Sequence, residues 1–288
     1  MIFRTRFAPS PTGPLHLGHA YSAMLAFEMA QSAGGDFLLR VEDIDQARAR
    51  DKWGAQIQED LHWLGLHWPT PVRRQSENLE LYRQALDHLW SRGLLYPCSC
   101  TRRDILEALS APQEGVPLGP DGVIYPGTCR SLPRNINGPL PQGNALRLDL
   151  AAALKSIPSV LQFKESGIDA PKGGVVTLDA AFLLETVGDV VLSRRDMNTS
   201  YHLSVVLDDA AQEITDVVRG ADLFEATAIH VVLQHLLALD TPRYHHHKLI
   251  RDAAGKRLAK RDDARAIARY RAEGATPAEM RAMVGLSP

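Results

Sequence analysis

The N-terminal segment alternates between strand and helix patterns, and this order constrains the fold more than any other feature of the sequence. Residues 2–7 are rich in apolar and β-prone types, which predicts a first strand. Apolar residues recur at helical spacing over 17–33, and a glycine pair at 34–35 ends that helix. A buried second strand is predicted at 37–41. Because strand, helix and strand follow one another at this spacing, the sequence predicts an α/β fold with a parallel sheet and right-handed crossovers.

The rest of the sequence divides into a core, an insertion and a C-terminal segment. Helices are predicted at 51–66, 77–92 and 223–239, and strands at 146–150, 189–193 and 214–218. Prolines, glycines and all three cysteines lie close together between 96 and about 141, where the periodicity fades. We therefore predict a core at 1–95 and 189–242, an inserted subdomain at 96–188 and a C-terminal segment with short helices at 243–288.

Composition excludes several classes of protein. The 288 residues carry a formal net charge of -2, whereas a protein that only coats nucleic acid is normally basic, so any RNA contact is expected to be a local patch. Three cysteines are few, and odd in number, for a secreted disulfide scaffold. The N-terminus lacks the apolar region of a signal peptide, and no stretch has the apolar length that spans a bilayer. We expect a cytoplasmic monomer with no membrane partner.

His16 and His19 lie at the predicted start of the first helix, on either side of Gly18. A helix N-terminus offers unpaired N–H groups and a positive dipole end, and a glycine lets a nucleotide approach the backbone closely. The two imidazoles lie one helical turn apart and can donate hydrogen bonds to a phosphate whose charge grows during displacement, an effect of about 3 kcal/mol for such a donor. In isolation, this pattern is more typical of two ordinary surface histidines.

A second signal lies near the other end of the sequence. Four cations occur within 256–261, directly after Gly255, and a mobile loop of this kind can grip the phosphates of ATP. Alone, a run of charges is more often a solvated face. The two signals together, at opposite ends of an α/β chain, favour a nucleotide site formed by both segments.

Several segments, in order, resemble the class I glutamyl- and glutaminyl-tRNA synthetases. Residues 6–19 resemble the opening of those enzymes, including their HIGH signature, and 39–45 resemble their L-R-x-E-D-T-D segment. Residues 201–209 and 215–220 resemble their Y-x-L-x-x-V-x-D-D and T-x-V-x-R-G segments, and 257–261 resemble the KMSKS loop. The resemblance runs from residue 4 to about 263. It implies a Rossmann-like class I synthetase catalytic domain, with helices on both faces of the sheet.

The resemblance implies that His16, Gly18, His19 and Lys260 bind ATP, which is expected with Mg²⁺. His16 and His19 would act as catalytic groups that stabilise the transition state at the α-phosphate, and Lys260 would bind the β- and γ-phosphates. The loop keeps Lys260 but departs from the family pattern at its other four positions, Arg257, Leu258, Ala259 and Arg261.

An amino acid substrate needs an anion for its ammonium group, and glutamate also needs a cation for its γ-carboxylate. Glu42 follows the second predicted strand, where α/β folds place ligand contacts, and is the candidate anion. Arg6 and Arg219 flank predicted strand ends, and a planar guanidinium binds both oxygens of a carboxylate. The resemblance implies a glutamate pocket of Arg6, Phe7, Ala8, Pro9, Ser10, Glu42, Tyr201 and Arg219.

Some of these residues also fit structural roles. Without the resemblance, Arg219 fits a surface salt bridge and Tyr201 a core aromatic. Glutamyl enzymes tend to have Asn at the position of Val205. In lacking this Asn the chain resembles the glutaminyl and glutamyl-queuosine enzymes, so the residues alone leave glutamine open as a substrate. Three histidines at 245–247 are expected to end a strand rather than to bind a metal.

The three cysteines, Cys98, Cys100 and Cys129, all lie in the loop-rich insertion. In a cytosolic enzyme such a cluster favours zinc over a disulfide, with three unmetallated thiols as the alternative. The residues leave three candidates for a fourth ligand: Tyr125, Asp121 and Asp104. A Y-x-x-x-C pattern with C-x-C resembles the glutamyl-queuosine family and implies Tyr125, which would complete one structural Zn²⁺ site.

About 25 residues follow Asp263, which predicts that an anticodon-binding domain is absent. This ending, the cysteine pattern and Val205 together resemble the glutamyl-Q tRNA(Asp) synthetases. That family activates L-glutamate with ATP to glutamyl-adenylate without tRNA, and transfers it to queuosine in the anticodon loop of tRNA(Asp). The basic stretch 243–271 is the expected contact with RNA phosphates.

Three other functions fit part of the sequence. A shortened glutamyl-tRNA synthetase would charge a tRNA 3′ end, but the expected absence of anticodon domains argues against it. A small nucleotidyltransferase shares the H-x-x-H pattern but not the glutamate-pocket segments. A non-catalytic paralogue that binds RNA or metal would not need His16, His19, Glu42 and Lys260.

Overall fold

A computed structural model describes residues 2–109, 116–168, 174–251 and 265–287. The strands are, in chain order, β1 (Arg4–Phe7), β2 (Asp36–Val41), β3 (Arg73–Arg74), β4 (Leu95–Cys98), β5 (Leu118–Gly119), β6 (Gly122–Val123), β7 (Ala145–Leu148), β8 (Val160–Lys164), β9 (Val175–Asp179), β10 (Val191–Ser193), β11 (Asp216–Gly220) and β12 (Arg243–His247). The helices are α1 (Leu17–Ser32), α2 (Asp51–Trp63), α3 (Leu79–Ser91), α4 (Arg102–Ala108), α5 (Leu150–Leu154), α6 (Ala180–Thr186), α7 (Tyr201–Ala211), α8 (Thr227–Leu236), α9 (Ile267–Ala272) and α10 (Pro277–Val284).

Parallel strands form the centre of the fold, as the strand–helix–strand order predicts. β1 pairs with β2 and β2 with β3, and β11 pairs with β12, all in parallel. A hydrogen bond from the Thr215 N–H to the Arg4 carbonyl (2.9 Å) joins the two groups, so that β11 lies beside β1. The predicted α/β class is confirmed. Because parallel strands end at the same edge, the residues after β1, β2 and β11 are brought together there.

The connection from α1 to β2 depends on two glycines. Gly34 adopts φ 60°, a left-handed conformation that residues with a Cβ rarely take. A Cβ on Gly35 would lie 2.0 Å from the Phe3 carbonyl oxygen, so no larger residue fits against the first strand. The predicted end of the first helix is therefore correct to within one residue, and α1 ends at Ser32.

Antiparallel strands form the segment predicted as an insertion and its immediate surroundings. β4 pairs with β7 and β7 with β10, while β5 with β6 and β8 with β9 form two hairpins. β10, whose sequence pattern suggested a strand of the core, lies beside β7, and β12, in the range given to the C-terminal segment, lies beside β11. Periodicity identifies a strand but not its partner, because partners lie far apart in the sequence.

The last two helices pack against the first two. Ile267 on α9 and Met280 on α10 are fully buried in the apolar core around α1. Arg271 on α9 forms an ion pair with Asp60 on α2, with 3.4 Å between Nη2 and Oδ1. Burial raises the pKa of Asp60 to about 6, because the charged carboxylate is costly to bury. The charge of Arg271 acts in the opposite direction and offsets part of this cost. Within the described ranges, no helix has the length and apolar character needed to cross a membrane.

Candidate active site

Two histidine side chains cap the N-terminus of α1. The His16 Nδ1 atom accepts a hydrogen bond from the Gly18 N–H, and the His19 Nδ1 atom accepts one from the His16 N–H, both at 3.1 Å. The two rings stack with their centroids 3.7 Å apart. Because each Nδ1 atom accepts, the proton of each neutral ring lies on Nε2. In this tautomer each ring has its N–H on Nε2, and an N–H of this type can stabilise charge on a phosphate oxygen.

A backbone contact brings the end of the basic segment to the same place. The Ile267 N–H donates to the Leu15 carbonyl (2.9 Å), and Ala266 forms an isolated antiparallel bridge with His16. Lys260 and the rest of the predicted KMSKS-like loop lie outside the described residues. The residues that follow the loop are held beside the H-x-x-H pattern, although the two segments lie at opposite ends of the sequence.

A cavity of 570 Å³ opens where β1 and β2 end. Its wall includes most of the residues predicted for the glutamate pocket and one predicted catalytic histidine: Phe7, Ala8, Pro9, Ser10, His19, Glu42 and Tyr201. Four further residues that were predicted for the ATP and glutamate sites have described positions but are not part of this wall: Arg6, His16, Gly18 and Arg219. Val205, the position that left glutamine open, lies on α7 with its side chain buried in the apolar core, and it is not among the residues that line this cavity.

A buried group of charged side chains lies behind Glu42. Arg40 is fully buried and donates to Asp209 Oδ1 (2.6 Å) and to Glu42 Oε1 (3.1 Å). Arg6 contacts the same Asp209 at two points, from Nε to Oδ1 (2.9 Å) and from Nη2 to Oδ2 (3.1 Å). Burial acts to raise the pKa of Asp209, but Arg6 and Arg40 outweigh it and hold that pKa below its usual value. Arg6, a predicted glutamate ligand, therefore already has a carboxylate partner.

Asp208, the neighbour of Asp209 on α7, extends this group. It accepts from Arg73 Nε (2.8 Å), Gln75 Nε2 (2.9 Å) and the Tyr82 hydroxyl (2.9 Å). Three guanidinium groups thus face three carboxylates, and the charges of this buried group balance one another. A balanced network fixes the position of Glu42, and each of its three cations already faces a protein carboxylate.

Arg219 on β11 has different surroundings. It is buried and donates to His246, His230, Thr227 and the Leu223 carbonyl, all of which are neutral acceptors when the rings are uncharged. Across the described ranges, no carboxylate lies within ion-pair distance of Arg219. The two arginines predicted for the glutamate pocket are therefore not equivalent, because only Arg6 is neutralised by direct contact.

The three cysteines meet in the insertion. The Cys98, Cys100 and Cys129 sulfurs lie within 4.8 Å of one another. The Tyr125 hydroxyl lies 3.4 Å from the Cys98 sulfur and 3.3 Å from the Cys100 sulfur, and accepts from the Cys129 N–H at 2.9 Å. The other two candidate ligands are engaged elsewhere: Asp104 caps α4 through Thr101, and Asp121 lies 3.3 Å from a ring nitrogen of His202.

Comparison with known proteins identifies the family. The family model of class I tRNA synthetases (E and Q), catalytic domain, matches residues 2–128 and 172–287. The glutamyl-Q tRNA(Asp) synthetase of Rhodobacter capsulatus is 61% identical over 284 residues, which are 98% of this chain and 99% of that protein. The chain belongs to the glutamyl-Q tRNA(Asp) synthetase family. A further glutamyl-Q tRNA(Asp) synthetase, from Deinococcus radiodurans, is 40% identical over 278 residues, 96% of this chain and 86% of that protein.

Solved structures show that this glutamyl-Q tRNA(Asp) synthetase family member shares the fold of longer enzymes. A glutamate tRNA ligase from Elizabethkingia meningosepticum, in complex with its amino acid, matches 99% of the chain with a TM-score of 0.75 and 25% identity. The chain spans 61% of the length of that protein. Methionyl-tRNA synthetase of Mycobacterium tuberculosis, at 12% identity and a TM-score of 0.57, shares the fold alone. The predicted class I synthetase catalytic fold is confirmed.

Several residues that hold this family member's site in shape could not be recognised from the sequence. Asp208 and Asp209 belong to a segment that resembles the family, yet no role was predicted for them because their arginine partners lie far away in the sequence. His246 belongs to the histidine run at 245–247, which was expected only to end a strand and does so in β12. His202 and His230 carry no signal in the sequence, since single histidines on helices are common.

Proposed function

We propose that the chain activates L-glutamate with ATP to form glutamyl-adenylate, without tRNA, and transfers the glutamate to queuosine in the anticodon loop of tRNA(Asp). The observation that carries the proposal is the 61% identity to the Rhodobacter capsulatus glutamyl-Q tRNA(Asp) synthetase, which extends over 99% of that protein. Because the match covers both chains almost completely, it includes the segments that form the cavity and the capped start of α1. Cytoplasmic location and a monomeric state stay predictions.

In the activation step, an α-carboxylate oxygen of glutamate attacks the α-phosphorus of ATP, and pyrophosphate leaves with the electrons of the broken P–O bond. His16 and His19 would donate from Nε2 to the oxygens on which charge grows. Gly18 keeps this region open, since a Cβ there would lie 3.1 Å from His16 Cε1. Lys260 would hold the β- and γ-phosphates, and Mg²⁺ bound with ATP would neutralise part of their charge.

Glutamate would lie in the cavity with its ammonium group at Glu42. Burial raises the pKa of Glu42, and an ammonium ion beside it favours its charged form. The side chain of the bound glutamate would be bordered by Tyr201 and by the segment 7–10, which consists of Phe7, Ala8, Pro9 and Ser10. Arg6 and Arg219 would supply positive charge to the γ-carboxylate, with Arg219 making the larger contribution because Asp209 already neutralises Arg6.

The cysteine cluster would hold one structural Zn²⁺ ion through Cys98, Cys100, Cys129 and Tyr125. Three soft thiols with a phenol oxygen among them offer four donors in a small volume, which fits zinc better than hard cations. When bound, zinc would crosslink the end of β4 to the loop that carries Tyr125 and Cys129. This role is structural, because four protein ligands leave no open position for a substrate.

Protein purified without chelator should contain about one zinc per chain by elemental analysis. Cys98→Ser should lose the metal, whereas Asp121→Asn should keep it, because Asp121 lies beside His202 rather than in the cluster. Tyr125→Phe tests the fourth ligand, and lower zinc retention during dialysis against a mild chelator is expected. A wild-type zinc content near zero would reject the site.

The transfer reaction can be tested with labelled glutamate, ATP and tRNA(Asp) that carries queuosine. Label is expected on this tRNA, also after its 3′-terminal adenosine has been removed, because the acceptor is a base in the anticodon loop. Queuosine-free tRNA(Asp) should stay unlabelled. Label on the queuosine-free tRNA that disappears with the 3′ adenosine would instead show a shortened glutamyl-tRNA synthetase and would overturn the proposal.

A further inference from the structure

Arg219 lies at the centre of a buried series of hydrogen bonds, formed by Glu165, His246, Arg219, His230 and His202. On one side, Arg219 Nε donates to His246 Nε2 (3.0 Å), and His246 Nδ1 lies 2.5 Å from Glu165 Oε2. On the other side, Arg219 Nη1 donates to His230 Nδ1 (3.2 Å), and His230 Nε2 lies 3.2 Å from His202 Nδ1. All five residues are at most 5% exposed. The series reaches the cavity at His202, which lines it.

The guanidinium group fixes the proton positions in this buried series, because it donates hydrogen bonds and never accepts them. His246 accepts at Nε2, so its proton lies on Nδ1 and is donated to Glu165. His230 accepts at Nδ1, so its proton lies on Nε2 and is donated to His202. Because one nitrogen of each ring accepts from the guanidinium group, each ring carries a single proton and is neutral. Burial and the charge of Arg219 lower the pKa of both rings, and the hydrogen bond from His246 to Glu165 opposes this shift at His246 without reversing it.

Among the residues with a described position, none therefore cancels the charge of Arg219 at close range. Glu165 is separated from it by one imidazole, and Arg219 Nη2 donates to the Thr227 hydroxyl (2.8 Å). Arg6, by contrast, faces the carboxylate of Asp209 at 2.9 Å. A buried cation held only by neutral acceptors is costly, and the cost falls when an anion binds beside it.

We propose that His230 and His246 are positioning residues for Arg219: as neutral acceptors they fix the orientation of its guanidinium group and leave its positive charge for the side-chain carboxylate of the substrate. The proposal rests on the proposed function, in which Arg219 receives that carboxylate. Under this proposal, the enzyme selects a substrate with an anionic side chain only because residue 230 is not itself a carboxylate. A carboxylate at this position would take the place of the substrate's own.

An isosteric pair of variants, His230→Asn and His230→Asp, tests this directly. Both have a side-chain oxygen near the position of Nδ1, and they differ in charge. In glutamate-dependent ATP–pyrophosphate exchange, the Asn variant should keep the KM for glutamate within about fivefold of the wild type. The Asp variant should raise the KM for glutamate by about 100-fold, because its carboxylate would pair with Arg219 and the substrate would lose its charge-assisted contact there. The KM for ATP should stay within about twofold of the wild type. Equal KM values for glutamate in the two variants would overturn the proposal.

A measurement on the wild-type protein keeps the test independent of variant folding. With ¹⁵N-labelled histidine, NMR should show His246 with its proton on Nδ1 and His230 with its proton on Nε2, and both neutral at pH 7; assignments follow from single histidine variants. A charged ring, or the opposite tautomer at either position, contradicts the proposal.

The two measurements separate this proposal from the proposed function. If the wild-type protein shows no glutamate-dependent exchange, the proposed function fails, and the role given to Arg219 fails with it. If the wild type is active and the Asn and Asp variants behave alike, only the positioning role fails.

Discussion

Replacing Arg219 by alanine should lower glutamate-dependent ATP–pyrophosphate exchange by about 1000-fold. In the proposed pocket this residue is the cation that no carboxylate of the described residues neutralises at close range, so in the variant the γ-carboxylate of glutamate would enter the pocket without a partner. Leaving one member of a buried ion pair uncompensated costs roughly 3–5 kcal/mol, which corresponds to a factor of about 10²–10⁴. The loss should appear in kcat/KM for glutamate, with little change in the KM for ATP.

Arg243→Ala is the matched control, because Arg243 begins the neighbouring strand β12 and pairs with Asp216 at the surface. Its side chain is 54% exposed, and an exposed pair of this kind contributes about 1 kcal/mol or less. We expect its exchange rate to stay within about threefold of the wild type. Near-normal exchange in the Arg219→Ala protein, folded by circular dichroism, would remove Arg219 from the pocket.

The start of α1 could be predicted from the sequence because its determinants are local. A proline- and glycine-rich loop, two histidines one turn apart and a following apolar periodicity all lie within residues 9–33, and α1 begins at Leu17 as expected. The residues predicted to line the glutamate pocket from one short segment, 7–10, do lie on one wall of the cavity. Patterns of this kind describe a segment and need no knowledge of its partners.

The charge pairing of the site could not be predicted, because it joins residues that are distant in sequence. In the sequence Arg6 and Arg219 are equivalent, because both are arginines near the ends of predicted strands. The fold distinguishes them, since Asp209 at the end of α7 reaches Arg6 while histidines from α8 and β12 reach Arg219. Val205 shows the converse case: a family difference suggested altered specificity, but helical geometry turns its side chain into the core.

Replacing Asp209 by asparagine should destabilise the protein by about 3–5 kcal/mol at pH 7. Asp209 is the shared partner of Arg6 and Arg40, and the neutral amide would leave these two buried guanidinium groups without the carboxylate that they share. Urea denaturation followed by circular dichroism measures the change. Asp196→Asn, which affects an exposed pair with Arg194, should cost about 1 kcal/mol or less. A difference below about 1 kcal/mol for Asp209→Asn would contradict the shared ion pair.

The pH dependence of this difference separates charge from packing. Arg6 and Arg40 hold the folded-state pKa of Asp209 below the 3.8 of the unfolded chain. A carboxylate with a lowered pKa contributes stability that is fully present above the unfolded-state value and is lost as the pH falls through the folded-state value. The wild-type protein should therefore lose its advantage over Asp209→Asn only below about pH 4. If the two proteins instead differ by the same free energy at every pH at which both fold, the loss reflects the shape of the side chain rather than its charge.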